Sequence, residues 1–144
     1  MPDRSRFARL ALRWTGAGLC GLAAACAAFG PAPPPAGTLE DARLASNKRY
    51  PRQIGSYLPH AECVNAAVEI YAVPSARYPD LVRRQEEARL RLSQAIDQRR
   101  LDAKTAARRM TQIDGLVARA TLERDAGDTA AAIRRLRQIE KLLP

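Results

Sequence analysis

Two long stretches with apolar residues at helical spacing, separated by a short break, constrain the fold of this chain more than any other feature. Residues 80–98 carry one apolar stripe and residues 103–126 carry another, with members three or four positions apart. The stripes are Leu81, Ala88, Leu92, Ala95 and Ile96, and then Ala106, Met110, Ile113, Val117 and Ala120. A break of two or three residues places consecutive helices side by side, so we predict a long antiparallel helical hairpin.

Polar residues at the ends of these stretches predict where the helices begin and end. Asp80 and Asp102 are good N-caps for the two hairpin helices. Gly127 is predicted to end the second helix, and Asp128 to cap a third. The third helix has its apolar face at Ala132, Leu136, Ile139 and Leu143.

One residue from each stripe is predicted to meet in a single core: Leu92, Ile113 and Leu136. Leu90 is the exception on its helix. It lies off the stripe among arginines, so we expect it to face solvent or a partner.

The segment before the hairpin is shorter and less regular. Thr38 is predicted to cap a short helix, with Asp41 at its third position. A second helix is predicted where Leu58, Ala61, Val64, Val68 and Tyr71 fall at helical spacing, although residues 64–73 also fit a strand. Residues 38–144 are therefore predicted to form one all-α domain, a small helical bundle built on the hairpin.

Aromatic residues make up only 5% of the chain, and its tyrosines are grouped. All four lie in the irregular segment before the hairpin: Tyr50, Tyr57, Tyr71 and Tyr78. Tyrosine is favoured at interfaces because it combines a large apolar ring with a polar tip. These side chains are either an interaction surface or the packing that holds the segment on the hairpin, which has no aromatic residue of its own.

The first 25 residues have the pattern of a secretory signal peptide. Arg4, Arg6, Arg9 and Arg13 precede an apolar run of about a dozen residues that ends in small residues. The run is shorter than the ~20 apolar residues that a membrane-spanning helix needs. Residues 26–37 are rich in proline and alanine and are predicted to be an extended linker.

The end of this segment, "LAAAC" at residues 22–26, resembles the lipobox of bacterial lipoproteins. It departs from that pattern because Leu22 stands one place too early and Ala23 occupies the usual leucine position. The resemblance implies that Cys26 is acylated, becomes the mature N-terminus and anchors the protein to a membrane. Ala27 after the cysteine implies the outer membrane, with the domain facing the periplasm.

Ordinary cleavage after Ala25 or Ala27 also fits the small residues at this site. The product would be a soluble periplasmic or secreted protein. Acylation of Cys26 would leave Cys63 as the one free thiol of the mature chain, whereas cleavage after Ala25 would allow the two cysteines to pair.

The C-terminal stretch "GDTAAAIRRLRQIEKLLP" resembles the second helix of a tetratricopeptide repeat. The turn at Gly127-Asp128, Ala132, Leu136 and Pro144 match that pattern. The preceding helix departs from it, because Arg119 and Glu123 stand where the repeat has apolar or aromatic residues. A generic amphipathic helix after a Gly-Asp turn explains the same residues.

The sequence offers no set of residues with the spacing that a catalytic or metal site needs. The one histidine, His60, stands three residues before Cys63, so a helix would place both on one face. A metal site would need two further ligands, and a nucleophile pair would need an orienting group and an oxyanion hole. We therefore predict no enzyme, no catalytic residue, no metal and no cofactor.

The net charge of +9 stays positive after the signal is removed, but export argues against nucleic acid as a partner. The sequence thus predicts a membrane-tethered helical interaction or scaffold module with a protein partner in the cell envelope. The alternative is a basic, helical periplasmic chaperone. It would be similar in size and charge to the Spy-type chaperones, although their repeated Leu-Thr-x-x-Gln motif is missing. Neither reading determines the oligomeric state.

Overall fold

The computed structural model describes residues 37–144 and confirms an all-α bundle. Helices make up 77% of these residues, and none of them forms a strand. The elements are α1 (Leu39–Arg49), α2 (Tyr57–Tyr71), a short 3-10 turn (Val73–Ser75), α3 (Pro79–Asp97), α4 (Ala103–Asp125) and α5 (Thr129–Glu140). The predicted signal peptide, Cys26 and residues 27–36 of the predicted linker lie outside the described residues.

Three of the four predicted N-caps are confirmed. Thr38 and Asp41 form a reciprocal capping box at α1. Asp102 accepts from the backbone N–H of Thr105 at 2.8 Å, and Asp128 accepts from that of Ala131 at 2.8 Å. Each cap satisfies a backbone donor that the first helical turn leaves unpaired.

The prediction that Asp80 caps α3 is wrong. The helix begins one residue earlier, at Pro79, with Tyr78 in the N-cap position. Proline suits the first helical position because its φ is already helical and its missing N–H would have no partner there. The Asp80 carboxylate instead accepts two hydrogen bonds from Arg124 of α4, at 2.8 and 2.7 Å.

The segments between helices differ from the sequence prediction in two places. Residues 64–71 are helical, and the chain then tightens into the 3-10 turn, so the strand alternative is wrong. The break in the hairpin covers residues 98–102 and is longer than predicted, because α3 already ends at Asp97. Arg99 adopts a left-handed φ of 57° there, which reverses the chain. The end of α4 follows the prediction, since Gly127, with φ 79°, comes directly after the C-cap residue Ala126.

Each helix packs against the next one along the chain, from α1 to α5. The main core is built from the predicted stripes of α3, α4 and α5. Leu92 and Ile113 are buried in it and Leu136 packs against it, which confirms the shared core. A smaller core of Val64, Val68 and Val73 lies beside α2.

Polar side chains lie in the contact between α2 and α3. The buried amide of Asn65 donates to the carbonyl oxygen of Glu86 at 3.0 Å and accepts a hydrogen bond from Arg89. Glu86 is itself buried, and its Oε1 has no hydrogen-bond partner among residues 37–144. Burial raises the pKa of Glu86 to about 6, and the nearby Glu69 adds to this effect.

Candidate functional site

The tyrosines do not form one surface. Tyr57 begins α2 and packs against the main core near the end of α3, whereas Tyr78 directly precedes α3. The length of α3, which has 19 residues, therefore separates them by roughly 27 Å at 1.5 Å per residue. Both are half-buried against the core, as the packing interpretation expects.

Tyr78 is also held by polar contacts. Its hydroxyl donates to Asp125 Oδ1 at 2.9 Å, and the guanidiniums of Arg77 and Arg124 lie 5.5 and 5.3 Å from its ring centroid. The hydrogen bond to Asp125 raises the pKa of Tyr78. Tyr78 thus joins the start of α3 to the end of α4.

The remaining predicted interaction residues are dispersed. Tyr50 is the C-cap residue of α1 and is half-buried, with the Arg49 guanidinium 5.4 Å from its ring centroid. Tyr71 is half-buried at the end of α2. Leu90 lies in the middle of α3 and is half-buried rather than fully exposed.

His60 and Cys63 each contact a different residue of α1. His60 Nε2 lies 2.9 Å from Asn47 Oδ1, while the buried Cys63 Sγ accepts from the Ser46 hydroxyl at 2.8 Å. Burial lowers the pKa of His60, and the charges of Arg52 and Arg89 lower it further. The arrangement places His60 among cations and ties the thiol into the α1–α2 contact.

An open cleft of about 340 Å³ lies between α2, α3 and α4, and we call it the cation cleft. Its apolar surface includes core residues of α3 and side chains of α4, among them Leu92, Ile96, Ala106, Ala107 and Met110. Arg52, His60 and Arg89 also line it, and Asp114 is the one acidic residue among the described residues of the lining. The cleft therefore combines an apolar surface with an excess of positive charge.

Arg89 is unusual among the charged residues of the cation cleft because of its burial and its neutral hydrogen-bond partner. Its guanidinium is largely buried, and burial lowers the pKa of Arg89. It donates to the neutral amide oxygen of Asn65, and none of the ion pairs found within residues 37–144 involves it. A guanidinium so placed keeps N–H donors for an anion.

A second depression, of about 600 Å³, runs between α4 and α5, and we call it the outer groove. Eight residues line it: Thr111, Gln112, Gly115, Leu116, Arg119, Gln138, Lys141 and Leu142. Leu116 and Leu142 supply apolar surface, and the charged members are both basic. Neither Arg119 nor Lys141 takes part in an ion pair within the described part of the chain.

Gly115 stands in the interior of α4, a helix of 23 residues that has no other glycine. A Cβ placed on it would meet no atom of residues 37–144 within 4 Å, and its φ is not positive. Glycine costs roughly 0.5–1 kcal/mol relative to alanine at such a position. Neither the backbone conformation of Gly115 nor its packing against the described residues therefore accounts for the glycine.

The stripe that carries Gly115 continues to Leu122, seven residues later on α4. Leu122 is 67% exposed, more than the other large apolar residues of the described chain. A side chain of this kind close to an apolar groove extends the surface on which another molecule could pack.

The groups that the structure adds to the sequence prediction are Arg89, Glu86 and Gly115. The first two are charged residues on a helix whose other face is apolar, and the pattern alone does not separate them from the exposed arginines beside them. Gly115 could have been found from the sequence, because an isolated glycine inside a helical pattern, with no turn nearby, often has a packing or functional role.

Within residues 37–144, no cluster of three or more His, Cys, Asp or Glu side chains could hold a metal ion. None of the helices in that range is long and apolar enough to cross a membrane. Comparison of the chain with protein-family models, with curated proteins and with solved structures found no match.

Proposed function

We propose that this protein is a non-catalytic interaction module of the cell envelope, tethered by lipid at Cys26, that holds an acidic amphipathic helix of a partner protein in the outer groove. The basic start, the lipobox-like "LAAAC" and the proline-rich linker support the tether. The observation that carries the binding role is Gly115, an interior helical glycine that neither its backbone conformation nor its packing within residues 37–144 requires.

The shape of the outer groove favours a helix as its occupant. Two adjacent helices form its walls, and the lining residues of α4 recur at positions 112, 115 and 119, which is the spacing of one helix face. Packed helices lie 8–10 Å apart, and small residues at the contact allow the shorter distances. A residue without a side chain at the centre of the groove gives a partner helix room to approach.

The charge of the groove favours an acidic partner. Arg119 and Lys141 lie on opposite walls, on α4 and just after α5, and neither is neutralised by an ion pair within residues 37–144. A helix with apolar residues against Leu116 and Leu142 and carboxylates on both flanks would match this pattern. The positive charge of the chain as a whole argues against a second copy as occupant.

Cross-linking in cells tests the proposal. A photoreactive amino acid replaces Gln112 or Gln138, which line the groove, and replaces Lys48 on α1 as the control. We expect the two groove positions to cross-link one and the same partner, through an acidic helical segment. The combined Arg119→Glu and Lys141→Glu changes should abolish that product. Identical products from Lys48 and the groove positions, or products insensitive to the charge reversal, would refute it.

A chaperone-like binding role is the second candidate, and exposed apolar side chains favour it. Leu44, Ile54, Ile70, Leu122 and Ile133 are each 44–67% exposed and lie on different elements of a basic domain. A chaperone would suppress aggregation of several unrelated unfolded proteins, and reversal of Arg119 and Lys141 would change this little. Loss of activity toward one partner alone would favour the interaction module.

A further inference from the structure

We propose that the cation cleft binds a small anionic amphiphile, a free fatty acid whose carboxylate is held by Arg89 and whose alkyl chain lies on the apolar surface between α3 and α4. This inference concerns a different depression, which shares only Thr111 with the outer groove, and it does not depend on the partner proposed there.

The unpaired charge of Arg89 is the first argument. A largely buried guanidinium is normally paired with a carboxylate, because desolvation of an isolated charge is costly. Arg89 has only the neutral Asn65 amide as a hydrogen-bond partner among the described residues, while Glu86 and Asp114 attract it without an ion pair. A ligand carboxylate in the cleft would supply the charge-assisted hydrogen bonds that the chain does not.

The surroundings of Arg89 favour a ligand with a negative charge. Arg52 and His60 line the same cleft, and the charges of Arg52 and Arg89 add to burial in lowering the pKa of His60. Asp114 is the one acidic residue of the lining, and it already accepts a hydrogen bond from Gln85 at 3.0 Å. An anion is therefore favoured near Arg89, and a cation is disfavoured.

The rest of the cleft selects an apolar chain of limited size. Leu92, Ile96 and Ala106 belong to the main core and reach the cleft surface, and Met110 adds an adaptable apolar wall. The volume of about 340 Å³ is near the lower end of the ~300–1,000 Å³ found for ligand pockets. One alkyl chain fits that space better than the paired chains of a phospholipid, so we commit to a free fatty acid.

The single histidine gives a direct reporter. The whole chain, carrying Cys26→Ser so that no acyl group is attached to it, is titrated with dodecanoate below its micelle-forming concentration. The His60 ring resonances are followed by NMR over a range of pH. A carboxylate beside Arg89 should raise the pKa of His60 from its depressed value, because a negative charge stabilises the imidazolium. Dodecylammonium, with the same chain and the opposite charge, should leave it unchanged.

Two variants test where the carboxylate and the alkyl chain of the ligand bind. Arg89→Met should weaken dodecanoate binding at least about tenfold, since it removes the charge-assisted hydrogen bonds. Ala107→Trp, at an exposed position of the cleft wall, should block the alkyl chain even if Arg89→Met does not fold. Lys104→Met removes an exposed cation of α4 outside the cleft and should have no effect. Equal binding of dodecylammonium, an unmoved His60 pKa, or unchanged affinity in Ala107→Trp would each overturn the proposal.

Discussion

The carboxylate of Asp97, the last residue of α3, accepts a hydrogen bond of 2.8 Å from the backbone N–H of Leu58 in the first turn of α2. It also accepts from the backbone N–H groups of Gly55 and Tyr57, at 2.7 and 3.3 Å. Ser56, in the N-cap position, makes no side-chain capping bond. The helix is capped instead by Asp97, which lies 39 positions after Leu58 in the chain. This contact fixes the start of α2, from which Tyr57 and His60 reach the cation cleft.

Replacement of Asp97 should destabilise the fold. Asp97→Ala leaves the first backbone donors of α2 without their acceptor, and we expect a loss of about 1–2 kcal/mol in the free energy of unfolding. Asp97→Asn keeps one acceptor oxygen and should cost less. Urea unfolding of the two variants measures both values. Gln98→Ala, at the exposed neighbouring position, is the control, and an equal loss in it would contradict the capping role.

The core assignment is tested by two leucines on one helix. Leu92 is 3% exposed and Leu90 is half-buried. Leu92→Ala should cost about 2–5 kcal/mol, from the lost burial and the cavity left behind. Leu90→Ala should cost clearly less, and thermal unfolding compares them. Equal destabilisation would show that the buried face of α3 has been assigned wrongly.

The helices and the core could be predicted because the spacing of apolar residues reflects which face of each helix is buried. The stripe from Leu81 to Ile96 is buried throughout, and most of the stripe of α4 is buried as well. Asp102 and Asp128 cap the helices that directly follow them, so their role is visible locally.

The features that could not be predicted depend on residues far apart in the chain. Asp80 looks like a cap, but its carboxylate pairs with Arg124 on another helix. The cap supplied by Asp97 and the burial of Glu86 likewise arise only when α2 and α3 meet. Both depressions lie between helices, so no single stretch of sequence describes them.

Glu86 should make stability depend on pH. Its pKa of about 6 in the folded protein lies above the ordinary 4.5 of an unfolded chain, so the folded state holds the proton longer. The contribution of Glu86 to the free energy of unfolding is present in full below pH 4.5 and is lost as the pH rises through 6. The groups that act on it are Glu69 of α2 and Arg83 and Arg89 of α3.

Glu86→Gln should remove this fall. At pH 8 we expect the variant to be about 1–2 kcal/mol more stable than the unchanged protein, with a smaller difference at pH 4. Urea unfolding across the range measures the difference. Glu62→Gln changes an exposed glutamate of α2 and should leave the pH profile as it was. A difference for Glu86→Gln that does not vary with pH would show that burial does not perturb this carboxyl.

The lipid tether predicts that the protein is labelled by a fatty-acid probe in cells and sediments with membranes. Cys26→Ser should abolish the labelling and release the mature protein, because the proposed tether attaches the lipid to the Cys26 thiol. Cys63→Ser is the matched control, since Cys63 is buried in the α1–α2 contact, and should leave labelling intact. A mature chain that begins at Ala28, or labelling that survives Cys26→Ser, would contradict the tether.

The proposed role of the outer groove predicts opposite effects of one substitution on stability and on binding. Gly115→Leu replaces a helix-destabilising residue at an exposed position, and should raise the free energy of unfolding by about 0.5–1 kcal/mol. The same side chain fills the space through which a partner helix would approach. Gly127→Ala is the contrasting change, because a positive φ of 79° makes that glycine necessary and its loss should destabilise the fold.

The most direct test measures thermal unfolding and peptide affinity on the same sample of the Gly115→Leu protein. The probe is a designed amphipathic helix with leucines on one face and glutamates on both flanks, compared with a twin that has lysines in place of the glutamates. We predict that the unchanged protein binds the acidic peptide and not the basic twin. We also predict that Gly115→Leu raises the melting temperature while weakening that binding at least about tenfold. A more stable variant with undiminished affinity, or equal binding of both peptides by the unchanged protein, would contradict the account.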